Sequence, residues 1–521
     1  MIARLRLYVV GFFAAVLLCC VIPPKRIAWA KPLTYTIADT TGDWGFPSPY
    51  RSYPRGPGYL RMSFLFDTMT WKNKEGEVLP ALARRWEYLD DENAYVFELN
   101  KSATWHDGTA FTADDVAFTV QYRKTYPMAW IDPKIIEKAV PIDPHTVKLV
   151  LSEKYAPFLI NVAGTMPILP RHIWENVTDP RTFGTEKALV GTGPFNLLDY
   201  DKAQGSYLYE ANRAYYGGTP KVDRLKVIKF STEMVAAALR QGQVDAGSIP
   251  PDLAEGMKQA GFQVIRAPYG WHLKLVMNHR EPPLNEKNFR QALAYAIDRQ
   301  ALVEITQRGH AVAGNPGFVP PDSSWYNPQV TAYPFDLDRA KALLQGLGCE
   351  VRDGKVFRGE ASLKLEMLSQ PRFKEVGLFV KEQLERLGIE IDIRSLESKT
   401  LDFKVLHWQF QLAISGHGGL YEPSFLKRGI LDEDFNSVRY RRNQELTKLV
   451  NAQLAEMHPE KRKEIVFHIQ ELYAEDLPNL PLYYPNWYWA HNGLLELFYT
   501  RNGVALGIPI PLNKLVFIEK R

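Results

Sequence analysis

The chain predicts a mixed α/β fold, α+β in character, because strands and helices follow one another along it. Three stretches carry the prediction. Residues 376–393 read as helix, stop and strand; residues 95–122 as strand, turn and capped helix; residues 336–348 as a capped helix closed by glycine.

In the first stretch Val376, Val380, Leu384 and Leu387 recur at helical spacing. Gly388 stops the helix, and Ile389, Ile391 and Ile393 then alternate as a strand. In the second, YVFELNKSATWHDGTAFTADDVAFTVQY, Tyr95, Phe97 and Leu99 alternate with Val96, Glu98 and Asn100, the pattern of a strand with one buried face. Asp107-Gly108 makes a turn, since glycine accepts positive φ at little cost. Thr112 follows as a helix N-cap with Asp115 completing a capping box, and Val116 and Val120 form an apolar stripe. In the third, Asp336 caps a helix with Leu337, Ala340, Leu344 and Leu347 on one face, ended by Gly348. Two further helices, near Leu446 to Met457 and Glu464 to Leu472, are separated by Pro459. There is no internal repeat and no low-complexity tract.

Residues 1–30 read as a signal peptide. Arg4 and Arg6 form a basic start, Leu7 to Ile22 an uncharged apolar run, and Ala28-Trp29-Ala30 a cleavage site that predicts a mature N-terminus at Lys31. The run falls short of the ~20 residues that span a bilayer, which argues against a retained anchor. Cys19 and Cys20 lack the small preceding residue of a lipid attachment site. The full chain carries 63 basic against 59 acidic residues; without Arg4, Arg6, Lys25 and Arg26 the two are balanced. A balanced chain has no global field for nucleic acid or anionic lipid, so those partners are excluded. Cys349 alone of three cysteines survives cleavage, so no internal disulfide is expected and the fold stands on its core. Length suggests two or three domains.

No metalloprotease, P-loop, CxxC or G-x-S-x-G motif is present. His106-Asp107 is not a catalytic pair, because adjacent residues rarely face one target and no third orienting group is near. His272 and His279 are seven apart, but LKLVMN between them reads as a strand. No cofactor and no metal site are expected. Aromatics are the stronger signal: 12 Trp, 26 Tyr and 26 Phe supply rigid contact area suited to a cleft. Trp44 sits in a breaker-rich loop, Trp44 to Tyr50, of the kind that plugs or binds. Trp271 lies in Gly270-Trp271-His272. Arg372 lies in SQPRF, between a strand and the helix at Val376, where it could grip a carboxylate bidentately. In QLAISGHGGLYEPSFL, Gln411 to Leu426, a strand runs into Gly416-His417-Gly418-Gly419, read as a flexible loop that admits close backbone approach.

WHDGTAFTADDVAFT resembles the hallmark segment of the family 5 extracellular solute-binding proteins, which feed peptide and nickel ABC importers. GTGPFNLLDY, continued by ANRAYYGGTPKVDRLKVIKF and ALRQGQVDAG, and MNHREPPLNEKNFRQALAYAIDRQALV with GNPGFVPP, extend the likeness in order over residues 34 to 490. The resemblance implies the large type of two-lobed periplasmic binding protein, with a hinge and an extra subdomain. Lobe I would be residues 31–278 plus 485–521, and lobe II residues 279–484. It implies a monomeric binding protein that delivers an oligopeptide or peptide-like solute to an ABC permease and ATPase. Trp44 and Trp271 would face ligand, and Arg372 would stand where dipeptide binders hold the ligand's C-terminus. His417, Tyr421 and Glu422 complete the expected ligand-binding set, but here the chain departs from the family. His417 replaces the usual tryptophan, and Glu422 is the only nearby carboxylate where an aspartate usually pairs with the ligand's ammonium group. This leaves open a nickel-chelate ligand with His417 as a nitrogen donor. A secreted hydrolase is the remaining alternative, with no recognisable carboxylate pair behind it.

Overall fold

Strand Thr34–Asp39 opens the described part of the chain in the centre of a seven-stranded sheet. The computed structural model describes residues 32–519 except 54–55, 129–130, 133, 419 and 435. The expected signal segment 1–30, the Lys31 terminus and Gly419 lie outside the described residues. The fold is mixed α/β. Thr34–Asp39 runs parallel to Arg224–Lys229 on one edge and Ala246–Ile249 on the other. Tyr35 and Ile37 enter one core, and Ala38 enters another on the opposite face. Such two-sided burial is what a parallel strand requires.

A four-stranded antiparallel sheet contains Ala94–Leu99, whose Tyr95, Phe97 and Leu99 are buried as the alternation predicts. Helix Ala113–Thr125 adds Val116 and Val120 to the same core. Its capping box forms, with the Thr112 N–H donating to Asp115 Oδ2 at 2.9 Å. His106 serves this scaffold. Gly191 N–H donates to its Nδ1 at 3.2 Å, and its Nε2 lies 3.0 Å from the Gly193 carbonyl. Asp107 turns away to His172 at 2.8 Å.

The third large sheet, of six strands, places Trp271–Met277 between Asn479–Pro485 and Leu412–Gly418. Helix Lys374–Arg386 covers it, Gly388 follows at φ +98°, and Glu390–Ser395 pairs in parallel with Lys364–Ser369. Asp336 caps helix Leu337–Gly346 by accepting the Arg339 N–H at 2.9 Å. Pro459 does not merely separate two helices: it is the first residue of helix Pro459–Asp476, where its missing N–H costs nothing.

The chain passes between the seven- and six-stranded sheets twice. Gln263–Arg266 belongs to the seven-stranded sheet and Trp271–Met277 to the six-stranded one; Asn479–Pro485 and Tyr488–His491 reverse the change. The passages are therefore residues 267–270 and 486–487. The first precedes the boundary expected at 278, because Leu273, Leu275 and Met277 already pack in the core of the six-stranded sheet.

Candidate ligand cleft

A cleft of about 850 Å³ lies beside these passages. Trp271, the first residue after one passage, and Trp487, within the other, line it, their rings 5.7 Å apart and tilted by 42°. Phe373 extends the aromatic wall, 6.4 Å from Trp271. Trp271 can occupy this place because residues 416 and 418 are glycines. A Cβ on Gly416 would stand 1.8 Å from Trp271 Cζ2, so the indole lies on bare backbone. The expected flexible loop at 416–418 is thus the end of strand Leu412–Gly418, and its glycines make room for a side chain.

Arg372 lies in the short turn Pro371–Phe373 before helix Lys374–Arg386, exposed at the cleft, its guanidinium 4.6 Å from the Phe373 ring centre. Among the described residues no carboxylate pairs with it. Proline and the helix start hold it at the strand-to-helix turn, as the sequence predicted. His417 also lines the cleft but is mostly buried. Its Nδ1 lies 3.1 Å from the Asn436 carbonyl, and burial, with Lys274 beside it, holds its pKa well below the usual imidazole range.

Behind this wall Lys274 is fully buried, its Nζ donating to the same Asn436 carbonyl at 2.8 Å. Desolvation pulls its pKa down to about 7. His272, opposite His417 in the strand register, has no partner for either ring nitrogen among the described residues, and burial keeps it neutral. Neither residue had a signature beyond the alternation W-H-L-K-L-V-M, which marks a shared face without telling what covers it. Trp487 and Phe373 were also missed, although NWYW and the neighbour of Arg372 were in plain sight.

Three other candidates sit elsewhere. Trp44 is half-buried in its loop. Its Nε1 donates to Thr41 Oγ1 at 2.6 Å, and Thr41 lines the cleft. Tyr421 is buried against Gly270, its hydroxyl 3.1 Å from Asp322 Oδ1. Glu422 is tied to Arg462 at 2.5 Å, with side-chain exposures of 8% and 7%. It borders a separate, smaller cavity with Tyr155, Asn161 and Ser424. There the Asn161 amide donates to Ser424 at 2.7 Å, joining the four-stranded region to the far side. Among the described residues no group of three or more His, Cys, Asp or Glu is placed to hold a metal ion.

Residues 77–426 match the bacterial extracellular solute-binding proteins, family 5 (middle). The chain belongs to this family. The dipeptide-binding protein of Escherichia coli (strain K12) is 30% identical over 351 residues, 62% of this chain and 64% of that protein's length. Oligopeptide-binding protein AppA of Bacillus subtilis (strain 168) is 27% identical over 474 residues, 83% of each. NikZ from Campylobacter jejuni, solved in complex with Ni(L-His), superposes with a TM-score of 0.76 at 22% identity, covering 93% of this chain and 99% of that one. The fold is accordingly the two-lobed periplasmic-binding-protein fold of family 5. No helix among the described residues is long and apolar enough to cross a membrane.

Proposed function

We propose that the protein is the substrate-binding component of an ABC importer, taking a peptide or peptide-like solute into the cleft. In this reading it is exported by cleavage at Ala30, works as a monomer in the periplasm and hands its ligand to a permease and ATPase in the inner membrane. It performs no catalysis and uses no cofactor. The observation that carries the reading is Arg372, exposed at an aromatic-walled cleft with no acidic partner among the described residues. A guanidinium so placed suits a carboxylate, and a charged hydrogen bond of this kind is worth about 1.5–3 kcal/mol. Relatives named for dipeptides and oligopeptides support the same ligand class. One lobe is built on the seven- and four-stranded sheets and the other on the six-stranded sheet. Residues 267–270 and 486–487 form the hinge, and closure around them would trap the ligand.

Native mass spectrometry of freshly purified protein tests this directly. A co-purified peptide or other small carboxylate is the expected result; a nickel adduct that resists peptide exchange would refute it. The nickel-chelate reading would have to use His417 Nε2, because Nδ1 is engaged by the Asn436 carbonyl, and the residue is only 6% exposed.

A further inference from the structure

The segment after strand Leu412–Gly418 is turned inward. Leu420 packs in an apolar core with Phe318 and Tyr484, Tyr421 bonds Asp322, and Glu422 neutralises Arg462. Arg462 is further held by the Gln453 carbonyl at 2.9 Å, so Glu422 belongs to a satisfied buried network. None of the three lines the cleft that Arg372 and Trp271 share. Nothing in 420–422 can therefore meet a ligand ammonium group there.

The charges near that cleft point the same way. Arg372 is at its rim and Lys274 lies behind the wall that His417 and Asn436 form. The acid nearest in effect to Lys274, Asp434, is itself paired with Arg428 at 2.8 Å. A second cation brought in by the ligand would meet the like charge of Arg372, with Asp402 the carboxylate in the lining to set against it, while an anion gains from Arg372 and from Lys274 when protonated. The wall of Trp271, Trp487 and Phe373 offers ring faces and edges to a planar or aromatic body. Trp487 is 41% exposed in this structure, a large apolar surface with work left to do.

We infer that the cleft takes a carboxylate-terminated aromatic ligand without a free ammonium group, of the class of N-acylated peptides. This rests on the peptide-like reading above and narrows it. The ligand carboxylate sits on Arg372, the aromatic body on the tryptophan pair, and the blocked amine needs no counter-charge. Asp402, on helix Ser398–Leu406, is the carboxylate in the cleft lining that competes with this assignment.

Calorimetry of the mature protein with three probes decides it: Ala-Phe, N-acetyl-Ala-Phe and N-acetyl-Ala-Phe amide. The acetylated acid should bind at least as tightly as the free dipeptide, within threefold, and the amide at least tenfold more weakly. Arg372→Ala should weaken the acid by ten- to a hundredfold and abolish the difference between acid and amide. A free dipeptide more than threefold tighter than its acetylated form would overturn the inference and leave the peptide reading standing. If Asp402→Asn erased that preference, the ammonium would be assigned to Asp402. Equal binding of acid and amide would remove Arg372 from the site and overturn the inference as well. If none of the probes bound, both the inference and the peptide reading would fall.

Discussion

Replacing Glu422 by alanine separates a structural carboxylate from a ligand-binding one. Glu422 meets Arg462 at 2.5 Å with both side chains more than nine-tenths buried. Removing it leaves a guanidinium in a desolvated site with Gln453 and the face of Trp325 as its remaining partners among the described residues. Breaking a buried pair in this way costs about 3–5 kcal/mol. Lys72 adds to the cost, because its own burial already lowers its pKa to about 8 and Glu422 is the charge that opposes the shift. Against a total stability on the order of 5–15 kcal/mol, the loss should be visible as lower yield and an early unfolding transition. Glu422→Gln, which keeps an acceptor oxygen, should cost less. The double replacement Glu422→Leu with Arg462→Met should recover most of the loss, since no charge is then stranded. Urea unfolding followed by fluorescence measures the stability, and calorimetry with the acetylated dipeptide measures the site. A variant of normal stability that binds tenfold more weakly would show that Glu422 faces the ligand, and would refute its assignment to the interior.

Three more outcomes follow from the same geometry. Gly416→Ala should displace the Trp271 indole, quench or shift its fluorescence and weaken aromatic ligands. Gly418→Ala, whose Cβ would meet Trp271 no closer than 3.2 Å, should do far less; equal effects would mean that the indole does not rest on Gly416. Lys274 titrates near 7 in the folded protein against 10.5 when exposed, so between those values the unfolded chain holds the extra proton and stability rises with pH. Lys274→Met should stabilise the protein by a few kcal/mol, on the order of the shift itself, at pH 6, and flatten the rise towards pH 10. An unchanged pH profile would count against a desolvated ammonium at this position. Ligand should also close the lobes about 267–270 and 486–487, lowering the radius of gyration in X-ray scattering, and a saturating ligand with no such change would oppose hinge closure.

What the sequence could reveal was set by distance along the chain. The strand at Tyr95, the Thr112–Asp115 capping box and the helix-glycine-strand unit at Val376 are all legible because their partners lie within a few residues. Arg372 was legible for the same reason, since a strand-to-helix turn announces itself locally. The polar network was not. Glu422 and Arg462 are forty residues apart, and Asp67 finds Lys514 from nearly the opposite end of the chain. Composition also misled at Gly416 and Gly418, because glycine serves a mobile loop and a crowded strand equally well, and only the Trp271 ring distinguishes them.

That distinction bears on the ligand. The residues that a local reading places around it, Tyr421 and Glu422, are spent on holding the second lobe together, through Asp322 and Arg462. The groups that give the cleft its character come from three separated places: strand Trp271–Met277, which carries Trp271 and Lys274, Trp487 at the second passage, and Arg372 at a helix start. Two of these sit beside the hinge, so any rotation of the lobes changes the spacing of the tryptophan pair, which is 5.7 Å here. On the inferred binding mode, recognition of the aromatic body is tied to closure. A ligand that separates the rings by stacking between them would resist the rotation, and one that packs against their shared outer face would favour it. Comparing scattering and tryptophan fluorescence for a phenylalanyl and an alanyl probe of equal charge would tell these apart. Closure by the phenylalanyl probe alone is expected, and equal closure by both would leave Arg372, not the aromatic wall, as the trigger.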